Sequence, residues 1–123
     1  FTIPMNVRLN NDIDSYKGFI YGGRIDKLIV PAGYDGLCDY FVCTSMIGTL
    51  VVEGDDTLPD NFMYNTKIQK EVDISKCSNL QLFLKKVTID DEITVYVKSE
   101  DLKTEYESST DYSNMKFVVK TGE

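Results

Sequence analysis

The 123-residue chain contains no histidine. Histidine is the usual base of serine and cysteine catalytic triads, and the usual acid–base group near neutral pH. Its absence removes the central residue of the commonest hydrolase mechanisms. A Ser–Lys or an all-carboxylate mechanism stays formally open, but no pattern indicates one. The Gly22–Gly23 pair stands alone, so a glycine-rich phosphate loop is missing as well. We therefore expect a protein that is not an enzyme.

Tryptophan is also absent, and cysteine is scarce. The sequence thus lacks the Cys–Trp–Cys pattern of an immunoglobulin domain. Cys38 and Cys43 are five residues apart and would face opposite sides of one strand, so we do not expect them to bridge. Cys77 could pair with either, although three reduced, mostly buried thiols are the simpler interpretation. Without a CxxC pair or a histidine, the sequence argues against a zinc site.

Positively charged residues are fewer than negatively charged ones. The 13 Lys and Arg residues face 20 Asp and Glu residues, which gives a net charge of −7. This balance argues against nucleic acid and anionic membranes as partners. No apolar run approaches the roughly 18 residues that cross a bilayer, and no signal peptide is recognisable. Because the chain begins at Phe1 rather than Met, we expect a processed product or a part of a longer protein.

Carboxylates cluster in three turn-like segments, at residues 10–14, 55–60 and 90–92. Calcium binds oxygen ligands at such spacings. However, the first cluster lacks the glycine and the distal glutamate of an EF-hand, and acidic residues are common in turns because they bond to the nearby backbone. We therefore expect solvated turns, no metal ion and no cofactor.

Hydrophobic residues alternate with polar ones along most of the chain, which is typical of strands with one buried face. Turn-rich segments separate the strands, residues 99–113 are predicted to form a loop or a strand plus a loop, and neither a long helix nor an internal repeat is evident. The pattern predicts one all-β domain over residues 1–123, an antiparallel β-sandwich of eight to nine short strands. The candidate strands are residues 1–9, 17–21, 27–30, 37–46, 49–53, 61–72, 80–85, 93–98 and 114–119.

The candidate strand 37–46 is apolar on both faces. A strand of this kind is buried on both faces, whereas one face of a two-sheet sandwich normally meets water. Either a neighbouring subunit or the segment 99–113 could cover the second face, and we favour the subunit. The predicted subunit interface consists of Tyr40, Phe41 and Val42.

Four segments resemble the jelly-roll domains of the tumour necrosis factor and complement globular-head type. They are the corner KLIVPAGYDGLCDYFVCTS (27–45), the segment TLVVEG (49–54), the hairpin-like LQLFLKKVTIDDEITVYV (80–97) and the final NMKFVVK (114–120). The resemblance implies a jelly-roll-like fold and a homotrimer with strands buried around a threefold axis. The fold is common in viral and phage fibre heads. The acidic composition and the lack of a signal peptide favour that group over a cytokine.

From this resemblance we expect a non-catalytic viral or phage module, a fibre head or a capsid decoration protein on the virion surface. It would bind other virion proteins or a host surface glycan or protein, without nucleic acid and without membrane insertion. The alternative is a secreted or cell-surface carbohydrate-binding β-sandwich. Tyrosine is abundant, and tyrosines in turns often contact ligands. The candidate ligand-binding residues are Tyr34, Asp35, Tyr64 and Tyr112.

Overall fold

A computed structural model describes residues 1–6, 19–112 and 114–120. These ranges contain eight strands, one α-helix and two short 3₁₀ helices. In chain order the elements are β1 (Ile20–Tyr21), β2 (Arg24–Val30), β3 (Val42–Cys43), β4 (Met46–Val52), β5 (Met63–Tyr64), β6 (Lys67–Asp73), a 3₁₀ helix (Leu82–Lys86), β7 (Ile93–Val97), α1 (Glu100–Glu107), a second 3₁₀ helix (Thr110–Tyr112) and β8 (Met115–Val119).

All pairings between these strands are parallel. Strands β2, β4, β6, β7 and β8 lie side by side in a five-stranded sheet, while β1, β3 and β5 form a three-stranded sheet. Paired residues are 21 to 23 positions apart, as in the series Lys27, Thr49, Glu71 and Thr94, which crosses four strands. Each further turn of the chain thus stacks on the one before it. This arrangement is a solenoid, in which a coil of about 22 residues contacts mainly its neighbours.

The predicted all-β, antiparallel, jelly-roll-like β-sandwich is therefore wrong, because the described residues form two parallel sheets and an α-helix, a mixed α/β fold. The resemblance to tumour necrosis factor-like domains is wrong with it. Antiparallel strands can be joined by tight hairpins, whereas parallel strands need a long connection. The predicted hairpin at 80–97 shows the difference. Its first arm forms the 3₁₀ helix Leu82–Lys86, and only its second arm, β7, is a strand. Alternating hydrophobic residues indicate a half-buried strand but not its direction.

In three of the coils, the chain bends at an equivalent corner between a short strand and a long strand. The residues at this corner are Gly22, Thr44 and Asn65, and all three have positive φ angles, of 66°, 49° and 51°. Glycine and asparagine adopt this left-handed conformation readily, whereas the β-branched Thr44 is strained in it. Backbone hydrogen bonds link the corners, since the Gly22 N–H donates to the carbonyl of Cys43 at 3.2 Å. The corner explains why the predicted strand 61–72 is split into β5 and β6.

A column of phenylalanines runs through the stack. Phe19, Phe41, Phe62 and Phe83 follow each other at intervals of one coil, with ring centroids 5.3 to 5.8 Å apart. Phe1 continues the column at 5.9 Å from Phe19. Phe41, Phe62 and Phe83 are fully buried. Offset and edge-to-face ring pairs add to the free energy gained by burying their surface, so this column links neighbouring coils.

The C-terminal end of the stack is covered by α1 and an aromatic cluster. The Ser99 side chain caps α1 by accepting from the Leu102 N–H at 3.2 Å, and acidic residues occupy the first turn. Tyr106 on this helix stacks on Phe117 of β8 with ring centroids 4.8 Å apart, and Tyr112 packs edge-on against Tyr106. Residues 99–113, predicted as a loop or a strand plus a loop, thus include a helix that closes this end of the core.

Other predicted strands are shorter or lie outside the described residues. In segment 37–46, only β3 and the first residue of β4 have strand conformation. In segment 1–9, Thr2 makes an isolated parallel bridge with Ile29, and residues 7–9 fall outside the described ranges. The first acidic cluster, at 10–14, also falls outside them. The assignment of residues 1–123 to one domain stays a prediction.

Candidate functional site

The five-stranded sheet has one face turned toward the core and one turned away from it. Leu28, Leu50, Val72, Val95 and Phe117 pair in register across the sheet, and all are buried. Their neighbours along each strand point to the opposite side. We call this side the outer face, and it carries the residues Lys27, Ile29, Thr49, Val51, Glu71, Asp73, Thr94, Tyr96, Lys116 and Val118.

The outer face consists of two side-chain rows that cross all five strands. One row is polar and runs Lys27, Thr49, Glu71, Thr94, Lys116. The other is mixed and runs Ile29, Val51, Asp73, Tyr96, Val118. Since the strands are in register, both rows are continuous.

An open groove of about 460 Å³ lies on this face. Its lining combines aliphatic side chains with charges of both signs and one aromatic ring. The lining residues are Lys27, Thr49, Val51, Glu71, Asp73, Tyr96, Val118, Val119 and Lys120. A groove with both apolar and hydrogen-bonding groups can bind another polypeptide.

Asp73, Tyr96 and Lys120 form a compact cluster within the groove. The Lys120 Nζ donates to Asp73 Oδ2 at 2.9 Å and lies 5.2 Å from the centroid of the Tyr96 ring. The lysine is therefore held by an ion pair and a cation–π contact at once. Asp73 ends β6, Tyr96 lies beside it on β7, and Lys120 directly follows β8.

Asp73 is held in place from its other side by Ser75. Asp73 Oδ1 accepts from the Ser75 N–H at 3.0 Å and from the Ser75 Oγ at 2.6 Å. Partial burial raises the pKa of Asp73, but the hydrogen bonds from Ser75 and Lys120 outweigh it, so the pKa lies below its ordinary value. The carboxylate stays ionised at neutral pH, with Oδ1 bonded to the backbone and Oδ2 directed at a cation.

Each shifted pKa among the described residues moves further from neutral pH than its ordinary value. Burial raises the pKa of Cys77 to about 11, and burial also raises the pKa of Tyr106, Tyr112 and Cys38. Hydrogen bonds from Ser78 lower the pKa of Asp55, and the hydrogen bond to Asp73 raises that of Lys120. General acids and bases work best with a pKa near the working pH. The shifted groups named here therefore keep their ordinary charge states at neutral pH.

The four predicted ligand-binding residues are not one site. Tyr34 is only 3% exposed and packs against Phe41 in the first coils, while Tyr112 is 5% exposed and packs at the C-terminal end. Asp35 is exposed in the loop after β2. Tyr64 is 42% exposed on the three-stranded sheet, with its ring edge-on to Tyr40.

The residues of the predicted subunit interface have cover from their own chain. Phe41 and Val42 are fully buried, Phe41 against neighbouring phenylalanines and Val42 between β1 and β5. Tyr40 is partly exposed and contacts Tyr64. The segment 37–46 is not one strand, so its apolar residues do not mark two faces that need separate cover. The homotrimer stays a prediction, now without the observation that suggested it.

The two acidic turns that the structure describes contact neighbouring coils, and Asp90 of one forms an ion pair with Lys67. Asp55 accepts from both the N–H and the Oγ of Ser78, at 2.7 and 2.8 Å, and so links two successive coils. Over residues 1–6, 19–112 and 114–120, no group of three or more acidic or sulfur side chains is arranged to hold a metal ion. The three cysteines, all described, are present as free thiols.

The groove residues escaped prediction because they are distant in sequence, with 47 positions between Asp73 and Lys120. One sequence pattern could have predicted that these residues lie close together. The segments FIYGGRI (19–25), FVCTSMI (41–47) and FMYNTKI (62–68) each begin with Phe and have Ile six residues later. A repeat of 21 to 22 residues predicts stacked coils, and stacking would have aligned the long strands.

The sequence matches no protein-family model, and no curated protein and no solved structure matches it significantly. In the part of the chain that the structure describes, the one α-helix has eight residues, and no helix is long and apolar enough to cross a membrane.

Proposed function

We propose that this chain is a non-catalytic recognition module whose outer face binds a segment of another protein. The observation that carries the proposal is the groove on the outer face, where in-register parallel strands present continuous side-chain rows. Solenoids commonly bind partners through the extended surface that their stacked repeats create.

The composition of the groove supports a protein partner over a small-molecule substrate. The groove is open, while small-molecule sites usually enclose most of the ligand. Val51 and Val118 offer apolar area, and the charged side chains offer hydrogen bonds and orientation.

Binding to a surface partner is the part of the original expectation that this proposal retains. The virion surface and the trimer were inferred from the jelly-roll resemblance and lose their support with it. Carbohydrate binding has one observation in its favour, the exposed Tyr64 beside Tyr40 on the three-stranded sheet. A glycan array compared between the wild type and Tyr64→Ala tests that second candidate.

The proposal is tested by selecting ligands and mapping where they bind. Peptides are selected from a displayed random library on the wild-type chain, and their affinity is then measured for two variants. Thr49→Arg places a long cation in the groove, whereas Thr104→Arg makes the same change on the exposed side of α1. We expect Thr49→Arg to weaken most selected peptides at least about tenfold, which corresponds to 1.4 kcal/mol.

Thr104→Arg should leave these affinities unchanged. Both variants must retain the wild-type melting temperature, so that the comparison reports on binding. Equal affinity of the two variants for the selected peptides would place the binding surface elsewhere and overturn the proposal.

A further inference from the structure

We propose that the partner segment inserts a lysine or arginine side chain between Asp73 and Tyr96, and that Lys120 occupies this place until the partner displaces it. This inference rests on the proposed function and names the partner's chemistry. Lys120 shows the geometry that the incoming cation would adopt, 2.9 Å from the carboxylate and 5.2 Å from the ring centroid.

The site for the cation is built independently of Lys120. Ser75 fixes Asp73 through two hydrogen bonds to Oδ1, so Oδ2 keeps its direction when its present partner leaves. Tyr96 is on the neighbouring strand in register with Asp73, so the sheet itself fixes the position of the ring. A carboxylate and an aromatic face at a set separation select a cation over a neutral side chain.

Lys120 is easily displaced. It follows the last residue of β8, and its side chain is 54% exposed. Water screens the exposed lysine end of this ion pair, while its Asp73 end is only 18% exposed, and an ordered lysine loses side-chain entropy. Its backbone N–H donates to Val97, and this bond does not depend on where the side chain points.

The two carboxylates that line the groove favour a basic partner over an acidic one. Glu71 lies on the same strand as Asp73 and lines the same groove, so an acidic side chain at the site would meet two carboxylates. The whole chain has a net charge of −7, which also favours a basic partner. Two lysines contribute the opposite charge toward the edges of the outer face. Lys27 lies two strands from Glu71, roughly 10 Å away at the usual strand spacing, and Lys116 lies on β8 at the end of the polar row.

The test uses three synthetic peptides of sequence STVXVTS, in which X is lysine, norleucine or glutamate. Each is titrated into the ¹⁵N-labelled chain, and the dissociation constant is taken from the NMR shifts of the Asp73 and Tyr96 amides. We expect the lysine peptide to bind at least about tenfold more tightly than the norleucine peptide, and the glutamate peptide most weakly. Asp73→Asn should remove the preference for lysine.

Lys120→Ala provides the decisive measurement. If Lys120 competes for the site, its removal should tighten the lysine peptide by about threefold or more and leave the norleucine peptide unaffected. Lys86→Ala removes an exposed lysine at the end of the first 3₁₀ helix, outside the groove lining, and should change neither affinity.

An unchanged or weaker affinity of Lys120→Ala for the lysine peptide would overturn the inference, as would equal binding of the lysine and norleucine peptides or no binding of any peptide. If library peptides still distinguish Thr49→Arg from Thr104→Arg, the proposed function stands and only the basic side chain is wrong. If neither comparison shows a difference, both fail.

Discussion

The hydroxyl oxygen of Tyr106 accepts a hydrogen bond from the backbone N–H of Gln81 at 2.7 Å. Tyr106 belongs to the C-terminal helix and Gln81 to the preceding coil, so this buried bond joins the end cover to the stack. Both polar atoms of the Gln81 side chain are also hydrogen-bonded. Its Oε1 accepts from the Leu58 N–H, and its Nε2 donates to two carbonyl groups. The helix is thus attached to a fixed polar group within the core.

Tyr106→Phe should destabilise the chain by about 1–3 kcal/mol, because it leaves the buried Gln81 N–H without an acceptor. The free energy of unfolding from urea titration checks this value. Tyr96→Phe removes a hydroxyl from the partly exposed outer face and should cost less than about 0.5 kcal/mol. Equal losses in the two variants would mean that the bond to Gln81 contributes no stability.

Phe62→Ala should be among the most destabilising single substitutions. Its ring stacks on Phe41 and meets Phe83 edge-on, both at 5.8 Å, so its removal leaves a cavity between two coils. Truncating a buried phenylalanine costs about 3–5 kcal/mol. Phe19→Ala lies in the same column at a half-buried position and should cost less. A larger loss for Phe19→Ala in urea unfolding would contradict the proposed role of the column.

Gly48→Ala should destabilise the chain because β2 passes too close to this position. A Cβ there would lie 2.5 Å from the backbone carbonyl oxygen of Asp26, and the backbone would have to move. Overpacking of this kind costs about 1–3 kcal/mol. Gly23→Ala is the matched control, since its Cβ would meet Ile20 at an ordinary 3.7 Å. Thermal unfolding of both variants should show a lower melting temperature only for Gly48→Ala.

Asp73 should make stability dependent on pH. Its pKa is lowered in the folded chain, because the hydrogen bonds from Ser75 and Lys120 together outweigh the opposing effect of burial. The carboxylate therefore stabilises the fold above its unfolded pKa of about 3.9, and the stabilisation is lost as the pH falls through the folded pKa. Asp73→Asn should be less stable than the wild type at pH 7, and the difference should shrink at about pH 3.

Urea unfolding at pH 7, 5 and 3 measures this difference. Asp60→Asn, which neutralises an exposed carboxylate away from the outer face, should stay within about 0.5 kcal/mol of the wild type throughout. A gap between Asp73→Asn and the wild type that grows on acidification would have the wrong sign for a lowered pKa.

Alternating hydrophobicity predicted several strands correctly but could not give their direction. Ile93, Val95 and Val97 are buried on β7 as their alternation indicates. The same alternation at Leu80, Leu82 and Leu84 led to a wrong prediction. Residues 82–86 form a 3₁₀ helix, whose period of three turns these side chains to different sides, so Leu82 is exposed while Leu84 is buried. The helix α1 had a readable signal in Ser99 followed by two acidic residues, a usual helix start.

The solenoid itself was harder to predict because its repeat is weak. The Phe and Ile positions recur at 22 and then 21 residues, and an extra residue in β6 shifts its register against β4. The candidate site could not be predicted from the sequence for a different reason. Asp73, Tyr96 and Lys120 belong to three different strand regions, and only the parallel register brings them together.

The corner formed by Gly22, Thr44 and Asn65 has a consequence for how such a chain can change in length. Each corner bonds to the next at an interval of one coil, so a duplication or deletion of about 22 residues would preserve every alternation of inward and outward side chains. A change of half that length would turn the apolar rows toward water. Each added coil would widen the outer face by one strand, about 4.8 Å. The length of partner segment that such a protein can recognise would therefore increase in whole coils.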